Sequence, residues 1–204
     1  MTDENRTELL QRLELMETMV AEGRRSTARA GWIFVLWGVV YFAAVGWSIF
    51  LPAPKLAWPV CIVAGVVILR VGKERQKRRS GSGESSRSRS IISVWQAMGT
   101  GVTLYALGAA LSHHILQTPY MAGILFFIGL AHATSALILR WPAQGVVAAI
   151  WWVGGFASFF ASNQVAGVIF LVATFFGQIL FGLYAMMLER RGRQIGEREV
   201  PQHG

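Results

Sequence analysis

The chain has 204 residues, is 53% hydrophobic and 15% charged, and carries 19 Lys and Arg against 11 Asp and Glu, a net charge of +8. A water-soluble globule of this length could not hide so much apolar surface, and the same numbers exclude disorder for most of the chain. One cysteine, Cys61, excludes an internal disulfide framework and any metal site built on several cysteines.

Residues 2–22 read as an amphipathic helix, with Thr2 as N-cap and Asp3 and Glu4 in the first turn, where the helix dipole favours acids. Leu9, Leu13, Met16 and Val20 recur at spacings of 4, 3 and 4, the rhythm of a coiled-coil seam, and Leu10 and Met19 widen it. Gly23 weakens the helix, and Arg24, Arg25 and Arg29 follow beside the first apolar run. A helix lying on anionic lipid is rich in Lys and Arg on its polar face. Residues 1–22 instead carry six acids against Arg6 and Arg12, so the stripe is expected to contact protein. The partner would be a second copy of the chain or a cytosolic protein; packing on the chain's own helix ends and contact with lipid are the alternatives.

Six charge-free runs follow, at about 31–51, 56–70, 91–112, 119–139, 142–162 and 165–188. A helix needs roughly 20 apolar residues to cross a bilayer core of about 30 Å. Five runs are long enough; the second is short, and Arg70 at its end can snorkel to the interface. A β-barrel would alternate polar and apolar residues, and stretches such as Met121–Ile128 and Gly167–Phe176 do not. The expected fold is an all-α membrane protein, a bundle of six transmembrane helices behind an N-terminal cytoplasmic amphipathic helix.

The basic residues assign sides. Five precede the first run, eight lie between the second and third, one between the fourth and fifth, and four after the sixth; Lys55 alone falls on the other side. Short loops rich in Lys and Arg stay cytoplasmic, which puts both termini in the cytosol. No cleaved leader is expected, because residues 1–22 are acidic and the first apolar run is too long for one.

Residues 73–90 carry seven bases, two acids, six serines and two glycines, with no apolar residue. This composition reads as a disordered cytoplasmic loop. Its bases, Lys73, Arg75, Lys77, Arg78 and Arg79 foremost, are candidate contacts for anionic headgroups. Nucleic acid is not an expected partner, since no aromatic is interleaved to stack on bases.

Short outer loops pair the runs into three helical hairpins. Each second helix ends alike, in Val-Ile-Leu-Arg70, Leu-Ile-Leu-Arg140 and Met-Leu-Glu-Arg190, and each first helix has an interior tryptophan, at Trp37, Trp95 and Trp151 or Trp152. These features are compatible with a triplicated hairpin and equally with chance reuse of a few residue types. The expected organisation is a cytoplasmic helix with its basic stretch at 1–30, hairpins at 31–72, 91–140 and 141–189, the basic loop at 73–90 and a cytoplasmic tail at 190–204.

Intramembrane acids and bases usually mark ion or proton paths, and here only Arg70 and Arg140 lie at span ends. No His-Glu-x-x-His, phosphate loop or nucleophile elbow occurs. No catalytic residue, metal ligand or cofactor is therefore assigned. The remaining polar groups, Gln96, His132 and Gln178, fall at similar depth in the inner half of the spans, with Thr134 and Ser135 nearby. They are candidates for a polar pocket, or for ordinary hydrogen bonds between helices, each worth about 0.6 kcal/mol. His113 and His114 at the outer end of the third run point about 100° apart on a helix and make a poor ligand pair.

The segment Leu13–Tyr41, with Gly31, Phe34, Trp37 and Gly38 in a Gly-x-x-Phe-x-x-Trp-Gly entry to the first span, resembles the start of a poorly characterised family of small bacterial multi-pass inner-membrane proteins. The resemblance implies a bacterial cytoplasmic-membrane location and is compatible with an operon shared with a regulator. It brings no catalytic residues. The expected role is a non-enzymatic assembly or regulatory scaffold acting through residues 2–22. The alternatives are a small channel or transporter, and an enzyme acting on lipid or quinone.

Overall fold

The computed structural model describes residues 3–80, 86–112 and 117–199; Thr2, His113 and His114 lie outside them. All regular structure among the described residues is helical. In chain order the helices are α1 (Asp3–Arg29), α2 (Gly31–Phe50), α3 (Pro54–Ser80), α4 (Ser86–Ser112), α5 (Gln117–Leu139) and α6 (Pro142–Ser158). The last, α7, runs as Asn163–Thr174, widens into a π-helical stretch at Phe175–Leu180 and continues as Phe181–Glu199. Four of these carry stretches long and apolar enough to cross a membrane: Gly31–Phe50, Leu56–Arg75, Thr118–Leu139 and Asn163–Gly192.

Three boundaries differ from the sequence expectation. Helix α1 does not weaken at Gly23 but continues to Arg29, because Gly23 and Thr27 are buried and Thr27 Oγ1 donates to the Gly23 carbonyl at 3.0 Å. The expected loop at 73–90 is helical at both ends, as α3 runs to Ser80 and α4 starts at Ser86, with 81–85 outside the described residues. Lys, Arg, Gln and Glu are good helix formers, and Arg78 reaches Glu74 at 3.4 Å one turn back. The expected tail is likewise helical as far as Glu199.

Helices α2 and α3, α4 and α5, and α6 and α7 pack as neighbours in hairpins. The most extensive contact, however, is between α5 and α6, across the expected boundary between the second and third hairpins. Its cause is a tight turn at Arg140 and Trp141 followed by interlocking side chains. A Cβ on Gly129 would meet the Trp152 indole, and one on Gly145 would lie 3.9 Å from Ala136. Helix α7 closes the bundle against α2, α5 and α6. Its approach to α2 is close enough to need glycine on both sides: a Cβ on Gly31 would fall 2.8 Å from the Gly182 carbonyl, and one on Gly182 would fall 2.7 Å from the Gly31 carbonyl.

The core is mainly apolar, but it also encloses polar side chains, and apolar side chains cover much of the exterior as well. The fully buried side chains include His132, Ser135, Gln144, Ser158 and Thr174 alongside Leu125, Ile128, Trp151 and Phe170. The exposed surface is set with Val63 and Val67 on α3, Leu104 and Leu107 on α4, Val153 and Phe156 on α6, and Val168 and Val172 on α7. An apolar belt on this scale marks a surface that faces something other than water.

Candidate functional site

Three regions hold the residues singled out by the sequence. The first is α1. The apolar stripe of its far half is left open among the described residues: Leu9, Leu13 and Met16 are 49%, 56% and 51% exposed, and Val20 is half-buried. Its near half packs on the C-terminal part of α7, on α4 and on α5. The joint between the two halves is Arg24. Its Nε donates to the Leu139 carbonyl at 2.8 Å, and its Nη2 donates to the Arg140 carbonyl.

Those carbonyls are available because of how α5 ends. Arg140 adopts φ 49°, a left-handed conformation that glycine usually supplies. The Trp141 amide then bonds back to Ala136 at 3.0 Å and the Arg140 amide to Leu137 at 3.4 Å, a Schellman closure. The left-handed residue costs roughly 1–2 kcal/mol. The Arg24 guanidinium, placed at the negative end of the α5 dipole, offsets this through two charge-assisted hydrogen bonds. The sequence shows Arg24 only as one of three juxtamembrane arginines and carries no signal for its target, 115 residues away.

The second region is the polar interior. Gln96 does not join it: the residue is exposed on α4. The preceding residue, Trp95, turns inward instead, its ring 4.9 Å from that of His132 in a T-shaped contact. Phe34 of α2 and Phe181 of α7, each 5.6 Å away, complete an aromatic enclosure around the imidazole. Gln178 is buried three residues before Phe181 on the same helix. His132 and Gln178 are therefore brought to similar depth.

Sequence reasoning missed the rest of this interior. Gln144, near the start of α6, and Thr174, one turn before Gln178, are fully buried. The signal was periodicity: Gln144 and Trp151 share a face at seven residues, Thr174 and Gln178 at four, and His132 and Ser135 at three. Among the described residues, neither ring nitrogen of His132 has a hydrogen-bond partner, nor do Ser135 Oγ, the side-chain amide of Gln144, Trp151 Nε1, Thr174 Oγ1 or Gln178 Oε1. Each such atom costs about 1–3 kcal/mol if left without one. These polar side chains flank the π-helical stretch of α7, where the Trp151 indole rests against Gly177; such irregular turns recur at functional sites.

The third region is the basic end of α3. Lys73, Arg75 and Arg78 are exposed, and Arg70, Val71, Glu74, Arg75 and Arg78 line an open groove of about 540 Å³. The side chains of Lys77 and Arg79 lie outside the described residues. Among the described residues no three His, Cys, Asp or Glu side chains gather as a metal centre requires.

The glycine-aromatic entry to α2 has a packing role in this setting. Gly31 and Gly38 admit α7, since a Cβ on Gly38 would fall 2.5 Å from Ile179. Phe34 fills the space between His132, Trp95 and Phe181. No family model matches the chain, and no curated protein or solved structure matches it either.

The joint yields a direct expectation. Charged hydrogen bonds contribute about 1.5–3 kcal/mol each when buried; these are partly exposed, so about 1–2 kcal/mol together is expected for Arg24→Ala. Amide exchange over residues 20–29 should then quicken roughly tenfold, with exchange in α6 unchanged. Equal exchange in both proteins would show that the arginine does not hold α1.

Proposed function

We propose that the chain is an integral membrane protein of six spans that carries α1 on the cytoplasmic side as an assembly or regulatory element, with no reaction of its own. The observation that carries this reading is the division of α1 at Arg24. A near half fixed to the bundle presents a far half whose apolar stripe is left exposed.

Four helices have the length and apolarity for spanning. The apolar exposed faces of α4 and α6 support adding them to the count. Helix α6 has 17 residues, about 25 Å at 1.5 Å per residue, and the turn at Phe159 and Phe160 extends its apolar length. With six spans, the asymmetry of Lys and Arg puts α1, the ends of α3 and α4, and the end of α7 together in the cytosol. A bacterial cytoplasmic membrane fits the resemblance at Gly31, Phe34, Trp37 and Gly38. The exposed Lys73, Arg75 and Arg78 are placed to meet anionic headgroups at that face. The acids of α1 turn it away from the same lipid and towards protein.

The test is a double substitution, Leu13→Glu with Met16→Glu. Both sites are exposed, so the thermal midpoint in detergent should stay within about 2 °C. Particle size in mild detergent, and the cross-linked species formed in native membranes, should fall to those of the single chain. An unchanged assembly would remove the role assigned to α1.

A second reading, a passage for ions or small polar solutes through α5, α6 and α7, is favoured by one observation: the buried polar atoms around His132 and Gln178 that have no hydrogen-bond partner among the described residues. It predicts flux in reconstituted liposomes that falls at least tenfold in His132→Leu. Absence of flux at all voltages and pH values would contradict it.

A further inference from the structure

We infer that the occupant of the exposed stripe is the α1 of a second copy, paired parallel and in register over two heptads from Leu9 to Val20. This rests on the proposed role of α1 and names its partner.

The seam fixes the positions of every residue around it. With Leu9 and Met16 at d and Leu13 and Val20 at a, Arg12 falls at g and Glu17 at e. In a parallel pair a g residue meets the e residue five places further on in the other helix. Arg12 thus meets the partner's Glu17, and Glu17 meets the partner's Arg12, giving two opposite-charge pairs. An antiparallel pair built on the same four seam residues sets Arg12 against the partner's Met19 and Glu17 against the partner's Leu10, with no charge pair at all. The charge pattern therefore selects one orientation.

The surroundings agree. Arg12 and Glu17 are both exposed, and Arg12 is bonded to Glu8 of its own helix at 2.6 Å, a contact open to solvent. Val20 at an a position and Leu9 at a d position are the residue types that suit two strands, while Leu13 and Met16 fill the other two seam positions. The seam stops at Val20 because its next two positions, Gly23 and Thr27, are buried against the chain's own helices. Two copies inserted alike in one membrane present α1 from the same face, and a two-fold axis along the membrane normal makes their pairing parallel when α1 projects away from the membrane. Two heptads are marginal for free helices; anchoring in a shared membrane raises their effective concentration.

The experiment uses the full chain in native membranes with Cys61→Ala, so that each introduced cysteine is unique. Leu13→Cys and Met16→Cys should form disulfide-linked dimers under mild oxidation. Thr18→Cys, on the opposite side of α1, should form them at least tenfold less. Separately, Arg12→Glu or Glu17→Arg should each lower dimer yield about threefold, as expected for exposed pairs turned repulsive, and the double reversal should restore it.

Equal linkage at Leu13 and Thr18, or no restoration by the double reversal, would overturn the parallel pairing. If Leu13→Glu with Met16→Glu disperses the assembly while Leu13→Cys yields no dimer, the scaffold role stands and this inference falls. If the same double substitution changes nothing, both fall.

Discussion

Main-chain amides removed from water must find partners within the chain, and the architecture follows from that demand. Helix meets it residue by residue, which is why all regular structure among the described residues of so apolar a chain is helical. The demand is hardest to meet where a helix ends inside the structure. At the close of α5 the last carbonyls are answered by a left-handed turn at Arg140 and by a side chain from far away, that of Arg24. One guanidinium thereby completes a core helix and fixes the base of α1. Docking of the N-terminal helix and closure of the bundle are the same interaction viewed from two sides.

Packing then follows from where glycine permits approach. Gly31 and Gly182 let α2 and α7 meet backbone to backbone. Gly129 and Gly177 receive the indoles of Trp152 and Trp151, one on each side of α6. With apolar side chains on the outside as well as the inside, burial of apolar area cannot by itself order the helices. Shape at these glycines and the aromatic contacts around His132 do so. The same arrangement turns polar groups such as Gln144, Ser135 and Thr174 inward, away from the apolar outer faces.

Much of the helical plan was legible in the residues. The charge-free runs located α2 and α5 almost to their ends, because an uninterrupted apolar stretch admits few other conformations. The heptad spacing of Leu9, Leu13, Met16 and Val20 located α1, though not its continuation through Gly23, which depends on tertiary burial. Low hydrophobicity at 73–80 and 86–90 points to disorder, whereas the Lys, Arg, Glu and Gln of 73–80 favour extension of a helix already begun, and both segments are helical. The interior was half legible. His132 and Gln178 stood out as polar residues in apolar runs, whereas Gln144 sat too near a run's end to be noticed. Gln96 was read for depth alone, and its rotation about α4, one residue from the inward Trp95, could not be known without the neighbouring helices.

The account rests on the chain threading a membrane an even number of times. The most direct measurement is labelling of single cysteines, in a Cys61→Ala background, by a membrane-impermeant maleimide added to sealed vesicles of known orientation. The account predicts that Ser82→Cys and Gln194→Cys label from one face, and that Leu51→Cys and Ala161→Cys label only from the other. Labelling of Ser82→Cys and Ala161→Cys from the same face would contradict it.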